Sequence, residues 1–354
     1  ISFSDISRRA GILSSQLGYG LGVSISDIND DGYPDIYISN DFHEIDYLYI
    51  NNRNGTFSEK LSEMITHSSR SSMGNDIADF NNDGLPDIVV LDMLPVEEEI
   101  KKRSGGEDDY ELYMIKRKYG YYHQYVRNML QLNLGDNTFS EIGRLSGIYS
   151  TDWSWAPLFC VLDNDGYKDI FITNGIFRRA NDLDYVKFLL DDRNDQNKPN
   201  SEILSNKELY EKMPLDPLVN YVFKNNGSHN LNDTIQPRDI NKFTFSNNAV
   251  KWGMNRASFS NGATYADLDN DGDLDMRVTN INDKAFIDRN KSESDTETHF
   301  LKFKIKGSQK NTFGIGARVV DFARNEKRMV ENFQTRGFMS SIPPEMHVGM
   351  GIID

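Results

Sequence analysis

Apolar residues in this chain come in short runs that Asp, Asn and Gly interrupt again and again. Ile36-Tyr-Ile-Ser, Ile88-Val-Val-Leu, Ile170-Phe-Ile-Thr and Met276-Arg-Val-Thr are examples. They are too short for helices and rich in the β-branched and aromatic residues that fit a pleated surface. A second strand-like run stands upstream of each, as in Gly22-Val-Ser-Ile-Ser and Ala263-Thr-Tyr-Ala, with small residues around its start at Gly18-Tyr-Gly20-Leu-Gly22, Ser72-Met-Gly74, Ser154-Trp-Ala156 and Ser260-Asn-Gly262-Ala263. A third run follows at Tyr47-Leu-Tyr-Ile-Asn-Asn, Met129-Leu-Gln-Leu-Asn-Leu and Tyr221-Val-Phe-Lys-Asn-Asn. A fourth comes after a turn, at Gly55-Thr-Phe-Ser-Glu, Asn137-Thr-Phe-Ser-Glu and Lys242-Phe-Thr-Phe-Ser. Four short antiparallel strands per repeated unit predict an all-β chain of propeller blades.

Between the first two strands of every unit lies the same nine-residue pattern. It reads Asp27-Ile-Asn29-Asp-Asp31-Gly32-Tyr33-Pro-Asp35, then Asp79-Phe-Asn81-Asn-Asp83-Gly84-Leu85-Pro-Asp87. The other copies are Val161-Leu-Asp163-Asn-Asp165-Gly166-Tyr167-Lys-Asp169 and Asp267-Leu-Asp269-Asn-Asp271-Gly272-Asp273-Leu-Asp275. Oxygen side chains at positions 1, 3, 5 and 9, a backbone carbonyl at 7 and a Gly at 6 for the sharp bend suit a hard divalent cation. The lack of His and Cys favours calcium over softer metals. One such loop could be a bare hairpin turn, since Asp, Asn and Gly dominate turns. Four copies that all keep oxygens at 3, 5 and 9 argue otherwise. Val161 takes the first ligand from the third copy, so three loops are expected to hold Ca²⁺ and the third to bind weakly or stay empty. An EF-hand would need an acid at position 12, where this chain has Ile38, Val90, Ile172 and Val278.

These units resemble the FG-GAP/VCBS repeats of integrin α-subunit propellers and of bacterial surface proteins. The tail Lys306-Gly307-Ser-Gln-Lys-Asn-Thr-Phe-Gly314-Ile-Gly316-Ala317-Arg318-Val319 is similar to the ASPIC/UnbV module that follows such repeats in cartilage acidic protein and its bacterial relatives. The resemblance implies a propeller over residues 1–300, four repeats of a seven-bladed ring, and a small β module over 301–354 that stops early. Ile1-Ser-Phe-Ser-Asp-Ile reads as an outer strand of a blade beginning before residue 1. Insertions at about 93–127 and 175–218 carry helical patterns and are expected to decorate one face, where binding sites tend to lie.

The chain has 354 residues and a formal charge of −15. Three bound divalent ions would bring that to about −9, still acidic enough to disfavour nucleic acid. No apolar run is long enough to span a membrane. Extracellular calcium modules bind at about 0.1–1 mM, which points to a surface, extracellular or periplasmic setting with any export signal upstream. The single Cys160 forms no internal disulfide and reads as a buried, inert thiol. Sequons begin at Asn54, Asn226, Asn232 and Asn290, although Asn-Gly hairpins explain the first two equally well.

Catalysis would need groups beyond the loops. The six histidines, His43, His67, His123, His229, His299 and His347, form no metal-ligand spacing, and neither a nucleophile elbow nor a phosphate loop is present. The expected role is therefore non-catalytic recognition or adhesion, with a glycan or protein partner at the cell surface. Tyr119 to Tyr122 are candidate sugar platforms, while Trp153 and Trp155 read as packing residues. One alternative is a calcium-dependent polysaccharide lyase or other carbohydrate-active enzyme, with His43 and Glu44 lining a cleft with Arg127 or Arg178. Another is a structural spacer in a surface protein.

Overall fold

A computed structural model of the chain describes residues 2–13, 15–105, 109–194, 204–227, 240–292, 298–323 and 326–352. His229 and the sequon at Asn232 lie outside the described residues. The fold is mostly β. Three consecutive units each form a four-stranded antiparallel sheet, and a three-stranded sheet follows. The first unit pairs Tyr19–Ser26, Asp35–Asp41, Tyr47–Asn51 and Phe57–Glu59 in chain order. The second uses Asn75–Ala78, Asp87–Val90, Met129–Asn133 and Phe139–Glu141. The third uses Ser154–Cys160, Asp169–Asn174, Tyr221–Asn225 and Phe245–Asn247. The fourth consists of Ser260–Ala266, Asp275–Asn280 and Phe286–Asp288.

The core lies between successive sheets. Along the second strand of the second unit, Ile88 and Val90 point into a cluster with Tyr37 and Leu48 of the first unit. Val89 between them points the other way, against Phe159, Ile170 and Ile172 of the third unit. The alternation repeats one unit later, where Phe171 leaves its neighbours to join Met276 and Val278 of the fourth. Period-two side-chain direction thus buries both faces of the middle sheets, which explains their unbroken apolar runs. Cys160 is part of the third cluster, and its burial pushes the thiol well above its ordinary range.

First strands of neighbouring units also touch one another. That is why small residues cluster there: a Cβ on Gly74 would lie 2.2 Å from the Trp155 carbonyl oxygen. Two expectations need correction. Ser2–Ile6 forms no strand and leads into the short helix Ser7–Ala10. Lys242-Phe lies in a 3₁₀ turn, Ile240–Phe243, whose Asn241 carbonyl accepts from Thr244 N at 3.0 Å, so the fourth strand of that unit starts only at Phe245.

Both insertions carry helices: Glu98–Arg103 and Tyr110–Lys118 in the first, Leu183–Asn194 and Asn206–Lys212 in the second. They meet through an Arg103–Asp182 ion pair of 2.6 Å and a Gly105 N to Asn181 O bond of 2.9 Å. No helix among the described residues is long and apolar enough to cross a membrane.

The C-terminal strands thread into the repeats. His299–Phe303 pairs with Met346–Gly351, Arg318–Ala323 with Glu326–Glu331, and Thr335–Arg336 with Ser340–Ser341. This last hairpin touches the first strands of all four units. Trp155 packs against Phe338 in a tilted contact with ring centroids 4.9 Å apart, a packing role, and donates to Gly175 O at 2.7 Å. Arg336 reaches furthest inward. Its Nη1 donates to Asp76 Oδ1 at 2.9 Å and also to the Ile77 carbonyl, while Asp76 Oδ2 accepts from Phe159 N at 2.7 Å. Burial pushes the Asp76 carboxyl up and Arg336 pulls it back only in part. Removing one partner of a buried pair leaves an uncompensated charge. Arg336→Met should therefore cost about 3–5 kcal/mol in urea unfolding, and adding Asp76→Asn should recover part of the loss. A cost below about 1 kcal/mol would show that the hairpin does not anchor the sheets.

Candidate metal centre

All four acidic loops close the hairpin between the first and second strands of their unit. The register is the same each time, with position 9 opposite the residue before position 1: Ser26↔Asp35, Ala78↔Asp87, Cys160↔Asp169 and Ala266↔Asp275. Position 4 takes a left-handed conformation in every copy, at Asp30, Asn82, Asn164 and Asn270, and so does the Gly at position 6. Asp and Asn tolerate that region better than other residues with a Cβ, so the loop shape follows from composition.

Within this shape the ligand candidates fall into distinct roles. Position 5 turns inward and accepts from the amide of position 7: Asp31 from Tyr33, Asp83 from Leu85, Asp165 from Tyr167 and Asp271 from Asp273, at 2.9–3.1 Å. Position 1 wraps the bend in two loops. Asp27 accepts from Asp31 N and Gly32 N, both at 2.8 Å, and Asp79 from Asp83 N and Gly84 N, both at 3.1 Å. Val161 can make no such bonds.

Position 9 is held most consistently. One oxygen accepts from the amide of position 2 and the other from an Asn amide at the end or just after the third strand. For Asp35 the donors are Ile28 N (2.9 Å) and Asn51 N (2.8 Å), and for Asp87 Phe80 N (3.3 Å) and Asn133 N (2.9 Å). For Asp169 they are Leu162 N (3.0 Å) and Asn225 N (2.9 Å), and for Asp275 Leu268 N (3.0 Å) and Asn290 N (2.8 Å). The same Asn reaches back to the previous unit. Asn133 Nδ2 donates to Ile28 O, Asn225 Nδ2 to Phe80 O and Asn290 Nδ2 to Leu162 O, at 2.6–3.1 Å. Each also donates to its own loop, to the carbonyls of Pro86, Lys168 and Leu274. An Asp–Asn clasp therefore ties strand, loop and neighbouring unit together. Nothing in their local sequence, Asn51-Asn52, Asn133-Leu134, Asn225-Asn226 and Asn290-Lys291, distinguishes these residues from ordinary asparagines at a strand end.

The repeated fold and the threaded tail agree with what the sequence resembles in known proteins. The FG-GAP-like repeat family matches residues 27–90, and the ASPIC and UnbV family matches residues 307–354. Residues 27–90 thus carry an FG-GAP-like repeat and residues 307–354 an ASPIC/UnbV module. The first match opens on Asp27 and spans the first two loops. No curated protein matches the chain.

The ASPIC/UnbV module meets these loops directly. Met329 N donates to Asp79 Oδ2 at 2.9 Å, Glu331 Oε1 accepts from Asp27 N at 3.3 Å, and Arg318 lies 2.5 Å from Asp30 and 3.5 Å from Asp27. Neighbouring loops also touch: Asn82 Nδ2 donates to Gly166 O at 3.1 Å, and Asn164 Nδ2 to Asp273 Oδ1 at 2.8 Å.

The loops differ in how well they fit a cation. In the first, Asn29 Oδ1 is a buried acceptor without a donor, and in the fourth so is Asp267 Oδ1. Asp267, Asp269 and Asp271 bring three carboxylates within 4.8 Å of one another. In the second, burial and then Asp83 push Asp79 up to about 6 against the pull of Lys168, and burial with Asp83 and Asp79 raises Asp87 well above the usual carboxylate range. Crowded, desolvated carboxylates are what a divalent ion relieves. The third loop does not fit. Lys224 Nζ lies 2.6 Å from Asp165 Oδ2 and also contacts Asp163, so a side-chain cation stands where a metal ion would have to sit. Burial opposes that charge, but the two carboxylates outweigh it and hold Lys224 above its ordinary range. Arg53 and Arg289 pair with the first and fourth loops from exposed positions, their side chains 56% and 53% accessible against 29% for Lys224. Of the ligand carboxylates, Arg318 and the half-buried Lys302 approach only those at position 1, Asp27 at 3.5 Å and Asp267 at 3.3 Å. Exposed pairs contribute little and swing out readily.

Arg178 is bound to the Glu211 and Met213 carbonyls at 3.0 and 2.7 Å. Tyr122 packs inward and donates to Ile65 O at 2.7 Å, whereas Tyr119 is exposed. The clasp yields a direct test. Asn225→Ala strips partners from buried carbonyls and should cost about 1–3 kcal/mol. Exposed Asn52→Ala should cost no more than about 0.5 kcal/mol. Equal costs in urea unfolding would deny the clasp its role.

Proposed function

We propose that the chain is a calcium-stiffened, non-catalytic recognition module that works outside the cell, its units acting as blades of an integrin-type propeller. FG-GAP repeats and the ASPIC/UnbV module support the adhesion-like, extracellular part of this reading. The observation that carries the metal is the pair of orphaned buried oxygens, Asn29 Oδ1 and Asp267 Oδ1, in loops whose other donors are all hard oxygens.

Asp27, Asn29, Asp31 and Asp35 with the Tyr33 carbonyl would hold the first ion. Asp79, Asn81, Asp83 and Asp87 with the Leu85 carbonyl would hold the second. Asp267, Asp269, Asp271 and Asp275 with the Asp273 carbonyl would hold the third. Asp163, Asp165, Asp169 and Tyr167 form the loop that Lys224 serves instead. Bound calcium would neutralise mutually repelling carboxylates and fix loops that bear the clasps and the tail. Its work here is structural, keeping a broad rigid surface in register for a glycan or protein partner.

Ligands that bind only the folded state stabilise it by about 2.7 kcal/mol per site at a hundredfold excess over Kd. The melting temperature should therefore fall clearly when calcium is replaced by excess EGTA, and an identical melt would refute the metal. Asp83→Ala should remove one ion from the bound stoichiometry, whereas Asp165→Ala should leave it unchanged. Equal losses would contradict the assignment of Lys224.

A further inference from the structure

The first insertion and the second unit enclose a pocket of about 490 Å³, within the usual range for small-ligand sites. Its chemistry is opposite to that of the chain. The chain carries a formal charge of −15, yet the pocket is lined by Arg70, Lys101, Arg127 and Arg144, with no Asp or Glu among the described lining residues. Lys101 and Arg144 are exposed and make no ion pair with a described carboxylate. Arg127 is set more firmly. Its Nη2 donates to Glu141 Oε2 and to His67 Nε2, both at 2.9 Å, while its buried Nε has no partner. Burial alone would raise Glu141, but bonds from His67, Gly143 and Arg127 outweigh it and hold that carboxylate below its usual range. Glu141 therefore stays charged and fixes the guanidinium.

The remaining wall is aromatic. Tyr110, Tyr113, Tyr125 and Tyr149 line it, and Tyr110, Tyr125 and Tyr149 are 75%, 41% and 38% exposed. Several of these rings are held in place. Tyr113 stacks on Tyr125 at 6.4 Å and its hydroxyl meets His123 Nδ1 at 2.6 Å. Arg127 lies 5.2 Å from the centre of the Tyr125 ring and Arg144 5.4 Å from that of Tyr149. Fixed aromatic rings offer apolar faces and hydroxyl hydrogen bonds at low entropic cost. Guanidinium groups beside them match the geometry of a planar or tetrahedral oxyanion. Two exposed cations without a described carboxylate partner, Lys101 and Arg144, also favour an anion at the mouth of the pocket.

We propose that this pocket binds a sugar ring carrying a carboxylate or a sulfate. The tyrosines stack on the ring, and Lys101 and Arg144 receive its anionic group, with Arg127, paired to Glu141, fixed behind them. The proposal rests on the reading of the chain as a recognition module and goes beyond it by naming the site and the charge of the ligand.

Calorimetric titration of the whole chain in calcium tests it, with trigalacturonate as the carboxylate probe and a κ-carrageenan tetrasaccharide as the sulfate probe. Cellotriose serves as neutral control and an oligoglutamate as acidic-peptide control. At least one acidic sugar should bind saturably and cellotriose should not, and the preferred probe identifies the anion. Lys101→Glu/Arg144→Glu should weaken binding about tenfold or more without moving the melting temperature, and Tyr110→Ala should weaken it too. Lys251→Glu/Lys310→Glu, the same charge change outside the pocket, should leave it unaltered. Unaltered affinity in the first double variant, an equal loss in the second, or tighter binding of oligoglutamate would overturn the assignment. So would retention of only neutral glycans or proteins on an array of cell-surface ligands, although the recognition role would then stand. An array that retains nothing would remove that broader reading as well.

Discussion

The fold depends on one carboxylate per unit, the Asp at position 9 of each loop. Its two oxygens accept from the loop's own second residue and from the Asn that closes the third strand. That Asn then binds a carbonyl in the loop of the preceding unit. A single buried carboxyl group therefore ties local turn geometry to the stacking of sheets, and because both its oxygens accept from backbone amides it has no cheap substitute.

Burying that much negative charge has a cost, and the chain meets it in two ways. In the third loop a lysine from the neighbouring strand lies against Asp163 and Asp165. In the first and fourth, Arg53 and Arg289 stand beside the carboxylates from exposed positions and Arg318 and Lys302 approach Asp27 and Asp267, while the buried oxygens Asn29 Oδ1 and Asp267 Oδ1 remain without donors. The difference between loops is thus a difference in where the positive charge comes from. The ASPIC/UnbV tail engages the same loops: Arg318 brings positive charge to the first and Met329 an amide donor to the second, while Glu331 accepts from Asp27 N and Arg336 sits among the first strands. Tail and repeats form one structure, and the tail hairpin binds the inner strands of every unit.

Much of this was legible in the sequence, for a physical reason. Position-specific oxygens, a Gly where φ is positive and a following β-branched run are local demands, so they leave local traces. Strand pairing across the loops and helices in the insertions follow from such traces. Lys224 was not legible, because it lies 61 residues from Asp163 and nothing in its own neighbourhood marks it. Arg336 meets Asp76 across 260 residues. The clasp asparagines were visible at the ends of the third runs, but their partner carbonyls lie 105 to 145 residues away in the preceding loops, so no local signal marks their role. The N-terminal segment Ser2–Ile6 alternates like a strand but finds no partner among the described residues, and alternation without a neighbour does not make a sheet.

Crystals grown in millimolar calcium and measured at a wavelength where calcium scatters anomalously would address the central claim most directly. The account expects density peaks inside the loops that begin at Asp27, Asp79 and Asp267, and an ammonium group alone beside Asp163 and Asp165. Peaks missing from all of the first three, or a strong one in the third loop with Lys224 displaced, would contradict it.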